Sequence, residues 1–190
     1  MVNQTPLRYT NPGADGILTE ETKTEIFSKR RNEVQTIALV GILAGVYAAV
    51  TIALGGISYG PINLRLANIL IAAVPIVGWP GVFGISLGVF LGNISSPLGP
   101  IDLISSLFTL VGLSILKLSS RRTVLGGLIA YSIILALWVS FELSFVFNTP
   151  YFPTFYYVLA GISIVVIGLA YPLYRALRSS GLIRRFNLAN

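Results

Sequence analysis

Cysteine and histidine are both absent from the 190 residues, and methionine occurs once. Without thiols there is no disulfide and no thiolate nucleophile, and without imidazole there is no ordinary base that titrates near neutral pH. Their joint absence also removes the usual zinc ligands, so neither a metal nor a cofactor is expected. Charge is scarce too: 11% of the residues are Asp, Glu, Lys or Arg, where a soluble domain carries about 25%. No GxxxxGK[ST] phosphate loop occurs in the chain, so ATP chemistry is not its own.

What is present is oil. Hydrophobic residues make up 54% of the chain and the mean hydropathy is +0.80. These values describe an all-α polytopic membrane protein with no room for a second large soluble domain. Thirteen basic residues against seven acidic ones leave a net charge of +6. In a soluble protein that excess would suggest nucleic acid. Here the cations cluster as Lys29, Arg30 and Arg31 before the first apolar run, Lys117, Arg121 and Arg122 in mid-chain, and Arg175, Arg178, Arg184 and Arg185 after the last. That is the positive-inside pattern, so the expected partner is a lipid bilayer rather than nucleic acid.

Spanning a hydrocarbon core of about 30 Å takes roughly 20 helical residues. Residues 35–55, 122–143 and 155–175 meet that length, and residues 101–118 fall slightly short of it. Two further apolar runs lie between Pro61 and Asn93, split by the breaker VGWPG at Val77 to Gly81. Turn chemistry at both ends favours two short spans over a re-entrant hairpin, since Gly60-Pro61 opens the first and Pro97, Gly99 and Pro100 close the second. The expectation is a six-transmembrane-helix bundle with both termini cytoplasmic, multi-pass in the plasma membrane. Residues 1–33 read as a polar cytoplasmic tail rather than a signal peptide, residues 34–176 as the transmembrane domain, and residues 177–190 as a basic cytoplasmic tail.

On that topology the few polar groups gather at one depth. Arg65 begins span two, Asp102 begins span four and Glu142 ends span five, all toward the outer face, with Asn63, Asn68 and Asn93 at the same level. Arg65 and Asn68 are three apart and share a helix face. Asp102, Ser105, Ser106, Thr109 and Gly112 form a polar stripe down span four, and Trp138 lies one turn below Glu142. An ionised group at mid-bilayer costs about 2.5–3.5 kcal/mol even on the lenient scale, so such groups normally pair and face a cavity. Any one of them could instead snorkel into headgroups. Six at one depth, from different helices, favour a shared pocket open to the outside. Paired acceptors at Asp102 and Glu142 suit a solute rich in N–H donors, and Arg65 can hold the carboxylates ionised or meet a carbonyl. Trp138 and Tyr59 offer faces on which a planar ring could stack. The aromatics Phe145, Phe147, Tyr151, Phe152, Phe155, Tyr156 and Tyr157 fit either an interfacial belt or a lid.

Span one carries small residues at intervals of four: Gly41, Gly45, Ala49 and Ala53, and beside them Ala44 and Ala48. Such spacing lets another helix approach closely, within the chain or in a partner.

AGVYAAVTIALGGISYGPINLRLANIL (Ala44 to Leu70) and LGNISSPLGPIDLISSLFTL (Leu91 to Leu110) resemble the QueT-type queuosine-precursor transporters. These are substrate-binding (S) components of energy-coupling factor (ECF) importers, a class of ABC transporter. The likeness runs over residues 38–175 and is most specific in SYGPINLRLANIL. It implies a six-helix bundle that takes up a 7-deazaguanine precursor of a modified tRNA nucleoside. It also implies a coupling subunit docked on an Ala-x-x-x-Ala motif, here Ala44 and Ala48, and two ATPase subunits that supply energy. One position departs from the family: where Arg-x-x-Glu is usual, Asn68 stands. Loss of that carboxylate fits a neutral or nitrile-bearing 7-deazaguanine better than a cationic aminomethyl one. Two other readings compete. A stand-alone secondary transporter would need polar residues on both sides of the midplane, and the inner half is nearly bare apart from Lys117. An intramembrane hydrolase could use Asp102 and Glu142 as an acid–base pair, but no histidine or paired-aspartate motif supports it. No catalytic residue is expected.

Overall fold

The structure is a computed structural model that describes residues 20–58 and 64–180, without the side chains of residues 20–23 and 57. Six helical segments carry it: α1 (Glu20–Ala53), α2 (Leu66–Val77), α3 (Trp79–Asn93), α4 (Gly99–Ser119), α5 (Val124–Phe147) and α6 (Tyr151–Ser179). A single turn of helix at Gly55–Ser58 follows α1, and no strand occurs among the described residues. Thr24–Ala53, α4, α5 and α6 are each long and apolar enough to cross a membrane, while α2 is a shorter apolar helix. Phe83, Leu87, Leu107, Val111, Leu118, Ile133 and Ile164 are all exposed on the outer surface. An apolar coat of that extent is what a lipid solvent selects. The helices outrun the apolar segments read from the sequence. In particular, α1 has 34 residues, a length of about 51 Å, because helix continues back through polar residues as far as Glu20.

Glycine on α3 sets how the bundle closes. A Cβ on Gly88 would lie 2.7 Å from Tyr47 Cβ and 2.9 Å from the Ala44 carbonyl oxygen, and one on Gly84 would lie 3.0 Å from the Val40 carbonyl oxygen. A Cβ on Gly92 would meet Thr51 at 3.1 Å. The two backbones touch through this stripe, as small residues permit. The partner numbers on α1 rise as the glycine numbers rise, so α1 and α3 run parallel.

Parallel neighbours require a return segment, and α2 provides it with few residues. Its first eight residues are 3-10 helix and its last four α-helix, which together extend about 22 Å, against about 18 Å for twelve α-helical residues. Pro75 accounts for the last 3-10 bond. It has no N–H to give to the Ile71 carbonyl, and its ring crowds that oxygen, so the Val74 N–H bonds to Ile71 at 3-10 spacing instead. The expected breaker follows. Gly78 adopts φ 78°, ψ −138°, a conformation open to glycine, and Pro80 sits in the first turn of α3.

α4 and α5 are antiparallel neighbours: Gly112 abuts Tyr131, and Gly127 abuts Leu116. Asn148, with φ 53°, turns the chain from α5 towards α6. Within α6, residues Val166–Ala170 form a π segment directly before Pro172, the usual consequence of a proline that cannot bond back. The 3-10 part of α2 packs against this segment and so joins α6 to the rest of the core.

Candidate functional site

Three helix ends meet in the polar region. Arg65 stands immediately before α2, Asn93 closes α3 and Asp102 lies in the first turn of α4. All three are buried, at 6%, 1% and 1% exposure. Arg65 Nη2 lies 3.7 Å from Asp102 Oδ2. The Asn93 Nδ2 group donates to Asp102 twice, to Oδ1 at 2.9 Å and to the backbone carbonyl at 2.7 Å. Side chain and main chain of Asp102 are therefore fixed by the end of the neighbouring helix, and the guanidinium balances the carboxylate.

Glu142, at 0% exposure, projects from α5 towards the same interior. Its Oε2 accepts a hydrogen bond from Ser105 Oγ at 2.9 Å, and Ser105 Oγ accepts one from Trp138 Nε1 at 3.0 Å. The α4 stripe read from the sequence thus turns inward at Asp102, Ser105, Thr109 and Gly112. Ser106 is the exception; it is only half-buried and bonds back to the Leu103 carbonyl.

The remaining expected residues take different places. Asn68 is buried, but its Oδ1 accepts a 2.6 Å hydrogen bond from the Tyr47 hydroxyl of α1, so this amide joins two helices. Trp138 stacks on Phe108, with centroids 4.3 Å apart and planes 13° from parallel. Its ring therefore has one face already covered. Tyr59 and Asn63 lie outside the described residues. Ala44 and Ala48 are 2% and 8% exposed and turn into the bundle, where the Ala44 carbonyl meets Gly88. Of the small residues spaced by four on α1, Gly41, Gly45, Ala49 and Ala53 remain open. Phe145, Phe147, Phe152, Tyr156 and Tyr157 are 55–72% exposed, the disposition of a belt rather than of a packed cover.

Ser105, Tyr47 and Phe108 were missed as organising residues. The signal for Ser105 was its place three residues after Asp102 on the polar stripe. The other two depend on contacts between distant helices.

The chemistry of the interior is that of an acceptor-rich cluster. Asp102 Oδ2, Asn93 Oδ1 and Glu142 Oε1 are buried and accept no hydrogen bond. The Arg65 guanidinium lies against Asp102, the nearer of two carboxyl groups. At the end of the bundle where α1 and α3 finish lies an open cleft of about 410 Å³ lined by Ile52, Gly55, Gly56, Ser95 and Pro97, none of them a member of the cluster. Among the described residues no group of three or more His, Cys, Asp or Glu could hold a metal ion.

Fold and surface define a helical membrane protein with a buried ionic centre towards one end. The model of the QueT transporter family matches residues 37–179, which takes in nearly all of the helical bundle. The chain belongs to that family and is a membrane transporter protein. No curated protein and no solved structure gives a significant match.

Proposed function

We propose that this protein is the substrate-binding subunit of an ECF-type importer in the plasma membrane, and not an enzyme. In this reading all six helices cross the bilayer with both termini inside, so the ionic centre faces outward. There it captures a small, planar, nitrogen-rich solute of the 7-deazaguanine class, and a membrane coupling subunit with two ATPase subunits drives delivery. Arg65, Asn93, Asp102 and Glu142 bind the solute, while Asn68 and Trp138 hold the walls. The observation that carries the reading is the set of buried acceptor atoms without donors on Asn93, Asp102 and Glu142. Each such atom costs about 1–3 kcal/mol while unsatisfied, and a solute edge bearing several N–H groups removes that cost. The coupling subunit meets α1 along Gly41, Gly45 and Ala49, which stay open on the surface.

Native mass spectrometry of the protein purified from its own membrane tests the solute class. A bound species with the mass of a 7-deazaguanine derivative is expected, and a bound species of another class would overturn the assignment. Co-purification of two ATPase subunits tests the importer, and uptake by the isolated chain in liposomes would refute it. The rival stand-alone carrier gains little from the far half of the bundle. Buried side chains there include Val74, Val82, Ile85, Leu113, Leu116 and Leu128, with the Tyr131 ring against Gly112.

A further inference from the structure

The hydrogen-bond direction around Glu142 is fixed by chemistry. An indole N–H can only donate, so at Trp138 Nε1 to Ser105 Oγ, 3.0 Å, the serine oxygen must be the acceptor. The single hydroxyl proton of Ser105 is then turned to Glu142 Oε2 at 2.9 Å. Trp138, Ser105 and Glu142 form a one-way relay that occupies one carboxylate oxygen and leaves Oε1 buried without a partner. The indole that starts the relay is itself clamped, by Phe108 at 4.3 Å on one face and Phe141 at 5.7 Å in a tilted contact. An aromatic held this way has little freedom to sandwich a second ring, but its N–H is aimed with little rotational play.

The neighbouring carboxylate is differently employed. Asp102 faces Arg65 on Oδ2 and Asn93 on Oδ1. Of the two acids, Glu142 is the one whose second oxygen has neither a cation nor a hydrogen-bond donor against it.

We infer that Ser105 and Trp138 are positioning residues that present Glu142 Oε1 as the acceptor reading an N–H donor of the solute, so that this relay sets the preference for amine-bearing rings. The inference rests on the solute-capture reading proposed above and adds to it which atom discriminates. A donor held by a fixed carboxyl oxygen separates solutes by about 10- to 100-fold, because a buried partner left unpaired costs about 1–3 kcal/mol. A carboxylate free to rotate would bond its own wall groups and lose that selectivity.

The test uses the full-length protein in lipid nanodiscs and two probes, 7-deazaguanine and 7-deazahypoxanthine, which differ by the exocyclic amine. Isothermal calorimetry on the unaltered protein should favour 7-deazaguanine by tenfold or more. Ser105→Ala should collapse that ratio to within about threefold. Trp138→Phe, which keeps a ring against Phe108 and so guards against a folding defect, should lower it in the same direction. Phe152→Leu, on the exposed aromatic belt and outside the relay, should leave the ratio as it was. Equal loss of both affinities in Ser105→Ala and Trp138→Phe, with the ratio retained, would show a merely structural role and overturn the relay while the solute reading stands. A ratio near one in the unaltered protein overturns the relay as well. If neither base binds, the proposed solute class falls first, and the relay's assignment falls with it.

Discussion

Replacing Asp102 by Asn should destabilise the empty protein, whereas replacing Glu142 by Gln should stabilise it. The opposite signs follow from a charge count. The buried cluster holds one cation, Arg65, and two acids, Asp102 and Glu142. The Arg65–Asp102 separation of 3.7 Å gives a gross attraction of about 4.5 kcal/mol at an effective dielectric constant of 20. Breaking a buried pair by removing one partner typically costs about 3–5 kcal/mol, because the remaining charge stays desolvated. The 3.7 Å distance is long for a charge-assisted bond, and the Asn93 donor can still bond an amide oxygen at position 102, so the lower end, about 3 kcal/mol, is expected. Glu142→Gln keeps an acceptor for Ser105 and removes the carboxylate that no cation contacts, a gain of about 1 kcal/mol. Thermal unfolding of both variants in the same detergent, without added solute, reads the two signs. Solute affinity should nonetheless fall in both, by about 2–5 kcal/mol if each acid meets a buried N–H group. Melting points that drop together, or an Asp102→Asn protein as stable as the original, would refute the charge count.

The packing gives sharper contrasts along α1 and α3. Gly88→Val should destabilise the protein by at least about 2 kcal/mol, since even a Cβ comes within 2.7 Å of Tyr47; an unchanged melting point would contradict the parallel α1–α3 contact. Ala44→Trp should disrupt folding, because the site is 2% exposed. Gly45→Trp should fold and bind solute normally, with no atom within 4 Å of its Cβ, yet abolish uptake in cells; retained uptake would place the coupling surface elsewhere. Tyr47→Phe should cost about 1 kcal/mol by freeing the Asn68 amide, measurable as a lower unfolding midpoint.

What the sequence disclosed was mostly local. Apolar run length and proline–glycine punctuation located the helices and the break at Gly78, since both act within a few residues. The inward turn of Asp102, Ser105 and Thr109 was legible because a stripe at helical spacing must face one way. Three features were not. The last 3-10 bond of α2 depends on Pro75 acting on a helix already crowded by its neighbours. The Tyr47–Asn68 and Phe108–Trp138 pairs join residues 21 and 30 positions apart, and no periodicity encodes such a match. The two alanines and the glycines beside them on α1 look alike in sequence. Which stripe faces inward was decided by Gly84, Gly88 and Gly92 on another helix.

The same glycine contact bears on how such a bundle could work. The polar cluster joins α2, α3, α4 and α5 at one end, while the buried side chains towards Gly78 include Val74, Val82, Leu113, Leu116 and Leu128, each at 1% exposure or less. Prising those helices apart would expose apolar surface inside the bundle and separate α3 from α1, where there is no slack. On the proposed reading, a solute held by Arg65, Asp102 and Glu142 has a much cheaper route than a channel opening through the core: the bundle would move as a body against a partner, on the face where Gly41 and Gly45 lie bare. On that proposal the dense interior and the open stripe answer one requirement: a bundle so tightly closed on itself would release its solute only with another protein's help.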